Sequence, residues 1–295
     1  MLKRGVYAAS LSVLNKDLTL NVEATISHGE NLIKNGCTGV FFMGSTGQAQ
    51  LCSIDSKKEL ISKIASHKLR KRFFVGLGVN SLSDSISLIK YANEYGINKE
   101  ILIGAPAYYR NNSDQGVFNF FKRIISECPK VKIVIYNFEK LFHYKFTVEA
   151  VTNLVKSFPK QVVAVKDSSY NLYENLKIKN FLVFPGSEAK LLKGLEYGCA
   201  GCISAVTNVT HSLARKVFDD FENKTPQTKN EQLTRVRETF DGYNLISALH
   251  SYHSIKDENY KNILPPLTLL SEEKQKELIE KLNKLKFNNE KNLAA

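Results

Sequence analysis

The chain has 295 residues, of which 43% are hydrophobic and 24% are charged, and its formal net charge at pH 7 is +12. This composition is typical of a folded globular protein and argues against a disordered chain, while the lack of any run of about 18 apolar residues argues against a membrane-spanning helix. Polar residues interrupt the first apolar stretch, so no signal-peptide pattern is seen and we expect a cytoplasmic protein with no membrane partner.

Before residue 210 one pattern recurs, in which a short apolar run ends in small or polar residues and a helix-like segment follows. The apolar runs mostly lack alternation, which indicates parallel strands that are covered on both faces. The eight predicted strands span residues 5–9, 39–43, 73–77, 100–104, 131–136, 161–166, 181–184 and 201–204. The predicted helices lie near residues 20–35, 55–70, 82–95, 113–127, 147–157, 170–178, 187–197 and 208–222.

Eight strand–helix repeats predict an α/β fold, a (β/α)₈ TIM barrel over residues 1–224. After a polar connection the pattern changes to helical segments near 229–250 and 271–286. We therefore expect a small C-terminal helical domain over residues 225–295.

The cysteines do not indicate a metal site, and the positive charge does not indicate a nucleic-acid partner. The five cysteines are odd in number and scattered, and Cys199 and Cys202 stand in an apolar context without a second pair, which favours buried thiols over a metal site. Lysines are interleaved with acidic residues, as in 271–286, and no basic–aromatic stripe stands out. We predict neither a metal nor a nucleic-acid partner.

Lys166 ends the apolar run of the sixth predicted strand, where barrel enzymes carry their chemistry. Partial desolvation at this place leaves more free amine to attack a carbonyl, as a Schiff-base nucleophile requires. An ion pair with the adjacent Asp167 is the simpler alternative. Tyr136 ends the preceding strand, so its phenol can lie near Lys166 and transfer protons, although a buried structural tyrosine is also compatible with the pattern.

The turn after the second strand reads Gly44-Ser45-Thr46-Gly47. Its glycines allow close backbone approach, and its amides and hydroxyls can hold a carboxylate without adding another cation. Such a turn is weak evidence in isolation, because small polar residues also form ordinary turns.

The motifs GSTG, PAYY, YN, VKDS, PGSE and GCISAVTN follow one another at the predicted strand ends. In this order the chain resembles the pyruvate-dependent class I aldolases of the dihydrodipicolinate synthase/N-acetylneuraminate lyase superfamily over nearly its whole length. The resemblance implies an imine between a 2-keto acid and Lys166, no metal or diffusible cofactor, and a homo-oligomer, commonly a tetramer built from dimers.

The resemblance also assigns the site residues. Tyr136 matches the proton shuttle, and Ser45 matches its relay partner. Tyr108 matches a tyrosine that reaches into the next subunit's site, with Tyr109 as the weaker candidate. The predicted substrate-binding residues are Gly44, Thr46, Gly47, Ser168, Gly186, Glu188 and Ile203, of which Ser168 and Glu188 are candidates for recognising hydroxyl groups.

Departures from the family pattern bear on the substrate. Leu141 stands where dihydrodipicolinate synthases carry an arginine for aspartate semialdehyde, although Lys140 or Lys145 can replace that cation. Ser168 after Lys166-Asp167 is closer to 2-keto-3-deoxygluconate aldolases. We expect a lyase that cleaves a 2-keto-3-deoxy sugar acid to pyruvate and an aldehyde.

Four alternatives remain open: an altered dihydrodipicolinate synthase, an N-acetylneuraminate lyase, a keto-deoxy acid dehydratase and a catalytically silent basic binding protein. Gln48, which stands where the family commonly has a glutamate, has no interpretation at this level.

Overall fold

Parallel strands alternate with helices along most of the chain, as a computed structural model shows for residues 2–97 and 100–287. The strands are β1 (Gly5–Ala9), β2 (Gly39–Phe42), β3 (Phe73–Val75), β4 (Glu100–Gly104), β5 (Lys132–Asn137), β6 (Val162–Asp167), β7 (Leu182–Pro185) and β8 (Gly201–Ser204). The helices are α1 (Val22–Lys34), α2 (Ile54–Ser66), α3 (Leu82–Glu94), α4 (Asp114–Glu127), α5 (Glu139–Phe142), α6 (Val148–Ser157), α7 (Leu191–Glu196), α8 (Thr207–Glu222), α9 (Asn230–Asp241), α10 (Leu245–His253) and α11 (Glu272–Lys284).

The strands form two four-stranded parallel sheets, ordered β3-β2-β1-β8 and β4-β5-β6-β7. A parallel bridge between Gly76 and Leu102 joins β3 to β4, and the amide of Ala200 donates to the carbonyl of Val183 (2.8 Å) between β7 and β8. These contacts close the ring, so the predicted barrel is confirmed.

The strand interiors agree with the sequence prediction because they are uninterrupted apolar runs. The predicted second strand is one residue too long, since Met43 adopts a left-handed conformation (φ 53°) that ends β2 and begins the turn at 44–47.

Aromatic side chains fill the barrel interior below this turn. Tyr7 makes edge contacts with Phe41, Phe74 and Phe184 at centroid distances of 5.9, 5.7 and 5.6 Å. All four rings are buried. The packed interior gives the strand ends a rigid support.

The predicted helix near 170–178 is wrong, because this segment forms turns. The carboxylate of Asp167 accepts hydrogen bonds from the amides of Tyr170 (3.0 Å), Leu172 (2.8 Å) and Tyr173 (2.9 Å). These bonds satisfy the amides without a helix.

The C-terminal helical segments form as expected, with the pattern near 229–250 divided into α9 and α10. Asn244 separates them and caps α10 by accepting from the amide of Ser247 (3.2 Å). Phe240 and Tyr252 pack in one apolar cluster with Val209 of α8. The domain boundary at 224 stays a prediction.

The cysteines are all free, and Cys199 and Cys202 are buried as predicted. Within residues 2–97 and 100–287, no helix is both long enough and apolar enough to cross a membrane.

Candidate active site

Lys166 lies near the end of β6, with only 3% of its surface exposed. In the sheet register it lies opposite Tyr136 of β5 on one side and Phe184 of β7 on the other. Its Nζ lies 4.3 Å from the centroid of the Tyr136 ring. The amine therefore lies against an aromatic ring and is shielded from bulk water.

Asp167 is not the ion-pair partner of Lys166. Besides the three amides of the following loop, its carboxylate accepts from Nδ2 of Asn137 (2.8 Å). Burial raises the pKa of the Asp167 carboxyl above its usual value, against the opposing effect of these hydrogen bonds. Within the described ranges, Lys166 has no salt bridge, so the bonds of Asp167 leave the amine available.

Tyr136 connects Lys166 to the turn after β2. Its hydroxyl lies 3.0 Å from Oγ of Ser45, and its side chain is 5% exposed. Either oxygen can donate, so a proton can pass between the two hydroxyls in both directions. The structure thus places Lys166, Tyr136 and Ser45 in one continuous chain of contacts.

The turn that carries Ser45 and Thr46 is held by its own backbone and by the segment after β1. The amide of Gly47 donates to the carbonyl of Gly44 (3.1 Å), and Oγ of Ser12 donates to the carbonyl of Gly47 (2.7 Å). A Cβ on Gly47 would lie 3.0 Å from Oγ of Ser12, whereas one on Gly44 would meet no atom closer than 3.9 Å. Only Gly47 is needed for close packing, and Thr46 is buried beside it.

A cavity of about 310 Å³ opens beside Ser45 and Tyr136. Its remaining walls are mostly apolar and come from the ends of β2 to β4, from α5 and from the C-terminal part of the chain. Leu141 lines it with 40% of its surface exposed, while Lys166 is not among the lining residues. The lining also includes Met43, Gly44, Gln48, Ala49, Gln50, Leu51, Gly76, Gly78, Leu102, Gly104, Ala107, Phe142, Ile246, Pro266 and Leu267.

Gly186 and Ser168 meet at the ends of β7 and β6. A Cβ on Gly186 would lie 2.0 Å from Oγ of Ser168, and the amide of Gly186 donates to the carbonyl of Asp167 (2.8 Å). Only a glycine at position 186 lets the backbone approach Ser168 this closely. Ile203 is fully buried in the barrel-interior cluster that also contains Tyr136.

Glu188 does not join this group. Its carboxylate is fully buried and accepts hydrogen bonds from Ser204, Thr210 (2.7 Å) and Arg237 (3.4 Å). Because both oxygens have internal partners, the arrangement favours a structural link between the barrel and α9. The predicted role of Glu188 in recognising substrate hydroxyl groups stays a prediction.

Tyr108 is also separate from the buried group. It is 79% exposed, has a left-handed backbone (φ 84°), and its ring contacts that of Tyr109 at 5.2 Å. Its predicted contact with another subunit's site stays a prediction.

Two buried polar residues near the site, Asn137 and Gln48, were given no role by the sequence reasoning. Asn137 is fully buried and links Asp167 to Asn171, while its Oδ1 accepts from the amide of Phe146 (3.1 Å). Gln48 binds His250 and Leu264. Asn137 could have been found from its place at a strand end, but the contacts of Gln48 have no local sequence signal.

A comparison with known protein families matches residues 2–285 to the dihydrodipicolinate synthetase family. The chain belongs to this family. Dihydrodipicolinate synthetase family members are pyruvate-dependent lyases, so the predicted enzyme class is confirmed.

Relatives within the dihydrodipicolinate synthetase family are named for two different activities, an aldolase and a synthase. A 2-dehydro-3-deoxy-D-gluconate/2-dehydro-3-deoxy-phosphogluconate aldolase of Picrophilus torridus is 26% identical over 237 residues, covering 77% of this chain and 86% of the relative. A 4-hydroxy-tetrahydrodipicolinate synthase of Listeria monocytogenes is 31% identical over 198 residues, covering 65% of this chain and 66% of the relative.

Solved structures of the family share the fold. The dihydrodipicolinate synthase of Agrobacterium tumefaciens has a TM-score of 0.86 at 25% identity, covering 96% of this chain and 99% of its own. The protein YagE of E. coli K12, crystallised with pyruvate, has a TM-score of 0.88 at 21% identity, covering 98% of this chain and 100% of its own.

Proposed function

We propose that this protein is a Schiff-base lyase that reversibly cleaves a 2-keto-3-deoxy sugar acid to pyruvate and an aldehyde. The observation that carries the proposal is the chain of contacts from the Lys166 amine to the Tyr136 ring and from the Tyr136 hydroxyl to Ser45. It combines a shielded nucleophile with a proton path, which are the two requirements of imine chemistry.

The proposed reaction begins when the Lys166 amine adds to the C2 ketone and water leaves. The resulting protonated imine accepts the electron pair of the C3–C4 bond as that bond breaks. The C4 hydroxyl loses its proton through Tyr136, and the aldehyde departs. The enamine then takes a proton at C3, and water releases pyruvate and the free amine. No metal or diffusible cofactor takes part in this proposal.

The turn at 44–47 is proposed to hold the substrate carboxylate. Oγ of Ser45 lies 3.0 Å from the Tyr136 hydroxyl, and Ser45 and its neighbour Thr46 would supply the amides and hydroxyls that bind the carboxylate. Amide and hydroxyl donors bind a carboxylate without placing a second cation beside the amine, so they leave its nucleophilicity intact. Gly44 lines the cavity, and Gly47, Gly186 and Ile203 are further proposed contacts of the bound keto acid.

Two observations support a keto-deoxy acid over aspartate semialdehyde. Leu141 lines the cavity where the family's synthases carry an arginine, and Lys145, a possible substitute, is paired with Glu139 (2.9 Å). Ser168 stands beside Gly186, and its hydroxyl is the proposed partner of the aldehyde portion. The name of the Picrophilus relative agrees with this assignment.

Dihydrodipicolinate synthase is the second candidate, because several relatives, including the Listeria protein, bear that function in their names. Condensation of pyruvate with aspartate semialdehyde would use the same amine and relay. The acceptor would then need a cation other than an arginine at position 141.

The proposed assembly is a homo-oligomer, with a dimer of dimers implied by the family resemblance. The exposure of Tyr108 and Tyr109 suits a contact between two copies, in which Tyr108 would extend the relay of the neighbouring subunit.

A substrate comparison tests the proposed function. Pyruvate release from 2-keto-3-deoxygluconate, measured with a lactate dehydrogenase assay, should exceed condensation of pyruvate with aspartate semialdehyde in kcat/KM. Cleavage of N-acetylneuraminate and dehydration of the keto-deoxy acid are measured in the same comparison. Highest activity with aspartate semialdehyde would overturn the assignment in favour of the second candidate.

A further inference from the structure

Gln48 follows the turn at 44–47 directly and adopts a left-handed backbone (φ 55°) that is uncommon for a residue with a side chain. Its amide donates to the carbonyl of Ser45 (3.0 Å), and its side chain is 3% exposed. A buried glutamine held in this conformation needs hydrogen-bond partners for its side-chain amide, and these come from the C-terminal part of the chain.

The side-chain partners of Gln48 fix the orientation of its amide group. Oε1 accepts from the backbone amide of Leu264 (2.8 Å), so Nε2 is the atom that faces His250 (3.2 Å). Nδ1 of His250 lies 3.0 Å from the carbonyl of Tyr260, which can only accept. The hydrogen of the neutral ring is therefore on Nδ1, and its Nε2 lone pair accepts from Gln48.

The surroundings of His250 keep it neutral. It is fully buried, and burial lowers its pKa to about 4 against the opposing effect of the Tyr260 carbonyl. The titratable groups around it are His28 of α1, His253 on its own helix and Tyr260, whose ring centroid lies 6.1 Å away. These groups are histidines and a tyrosine, so none of them supplies a negative charge that would favour a second proton.

We propose that Gln48 and His250 act as a positioning pair, in which a donated hydrogen bond from the glutamine to the neutral histidine fixes the turn that carries Ser45 and Thr46. The pair holds Ser45 at hydrogen-bond distance from Tyr136 and holds the turn amides for a substrate carboxylate. Through Leu264 it also fixes the segment that brings Pro266 and Leu267 to the cavity wall. This inference rests on the proposed function of that turn.

The substitution Gln48→Glu tests the pair because it keeps the shape and removes the donor. In this variant the new carboxylate faces the Nε2 lone pair of His250. The two groups repel each other unless one proton lies between them. The introduced carboxyl group and His250 together must therefore take up a proton, which wild-type protein does not need. Gln275→Glu is the matched control, since Nε2 of Gln275 donates to the carbonyl of Ser251 (2.6 Å) on α10 without touching the turn.

The measurement is the pyruvate concentration that gives half-maximal borohydride trapping on Lys166, taken from about pH 6 to about pH 8. For Gln48→Glu we expect it to rise about 10-fold at the upper pH and to approach the wild-type value at the lower pH. Gln275→Glu should follow wild type throughout. Equal curves for Gln48→Glu and wild type would overturn the positioning pair.

A second readout separates this inference from the proposed function. Nitrogen NMR of the histidine rings should show wild-type His250 as the Nδ1–H form without titration over this range, and should show titration in Gln48→Glu. If wild type traps no pyruvate, the proposed function fails and the NMR result alone decides on the pair. Identical His250 behaviour in both proteins would contradict the pair.

Discussion

The hydroxyl of Tyr136 lies 3.0 Å from Oγ of Ser45, while its ring covers the amine of Lys166 at 4.3 Å from the centroid. One side chain therefore touches both the nucleophile and the polar turn. β5 supplies the tyrosine and β6 the lysine, and the register of these strands places the two residues side by side. The arrangement follows from strand pairing, so it does not depend on a flexible loop.

Replacing Tyr136 by phenylalanine should lower kcat by about 10²–10⁴-fold, because the ring over Lys166 remains while the proton carrier is lost. Steady-state pyruvate release measures the effect, and circular dichroism checks folding. Tyr144→Phe is the matched control, since this buried tyrosine donates to Asp114 (2.7 Å) away from the site. Equal activities for Tyr136→Phe and the control would contradict the relay.

Replacing Ser45 by alanine should reduce kcat/KM about 10-fold, because one hydrogen bond of the relay and one carboxylate contact are lost. Ser45→Thr keeps the hydroxyl and should recover most of the activity. Full activity of the alanine variant would show that Tyr136 exchanges protons without Ser45.

Glu188→Ala should destabilise the protein by about 3–5 kcal/mol, since it removes the buried carboxylate that pairs with Nη1 of Arg237 and accepts from Ser204 and Thr210, although Asp241 still pairs with the other side of the guanidinium. Urea unfolding measures the loss. Asp241→Ala removes the exposed partner of the same arginine and should cost about 1 kcal/mol or less. A stable Glu188→Ala variant with a raised KM would instead restore Glu188 as a substrate contact.

The free energy of unfolding should fall between pH 6.5 and pH 4. Burial lowers the pKa of His28 and His250 from 6.5 to about 4, so over this range the unfolded chain binds protons that the folded chain does not. Each histidine then costs about 1.4 kcal/mol per pH unit, and above pH 6.5 the effect vanishes because both states are neutral. Urea titrations across this range measure it, and a flat profile would contradict these pKa directions.

The sequence predicted the barrel and the proximity of Tyr136 to Lys166, because both depend on local patterns. Uninterrupted apolar runs identify parallel strands, and residues that end neighbouring strands, such as Tyr136 and Lys166, must meet. The segment at 170–178 was mistaken for a helix because its amides bind Asp167, which a helical pattern does not reveal.

The features that the sequence reasoning did not foresee concern long-range partners. Glu188 looked free to bind hydroxyl groups, but Arg237 is 49 residues away in sequence and reaches it from α9. His250 lies 202 residues from Gln48, so that contact had no local signal. Such pairs depend on how the C-terminal helices pack on the barrel, which hydrophobic periodicity does not specify.

Borohydride reduction in the presence of pyruvate tests the central claim most directly. Mass spectrometry of peptides should locate a reduced pyruvyl adduct on Lys166, and Lys166→Ala should abolish it. Lys57 is an internal control, because it is equally buried but donates to the carbonyl of Cys52 (2.6 Å) and should stay unmodified. Folded wild-type protein without an adduct on Lys166, or with equal labelling of both lysines, would contradict the account.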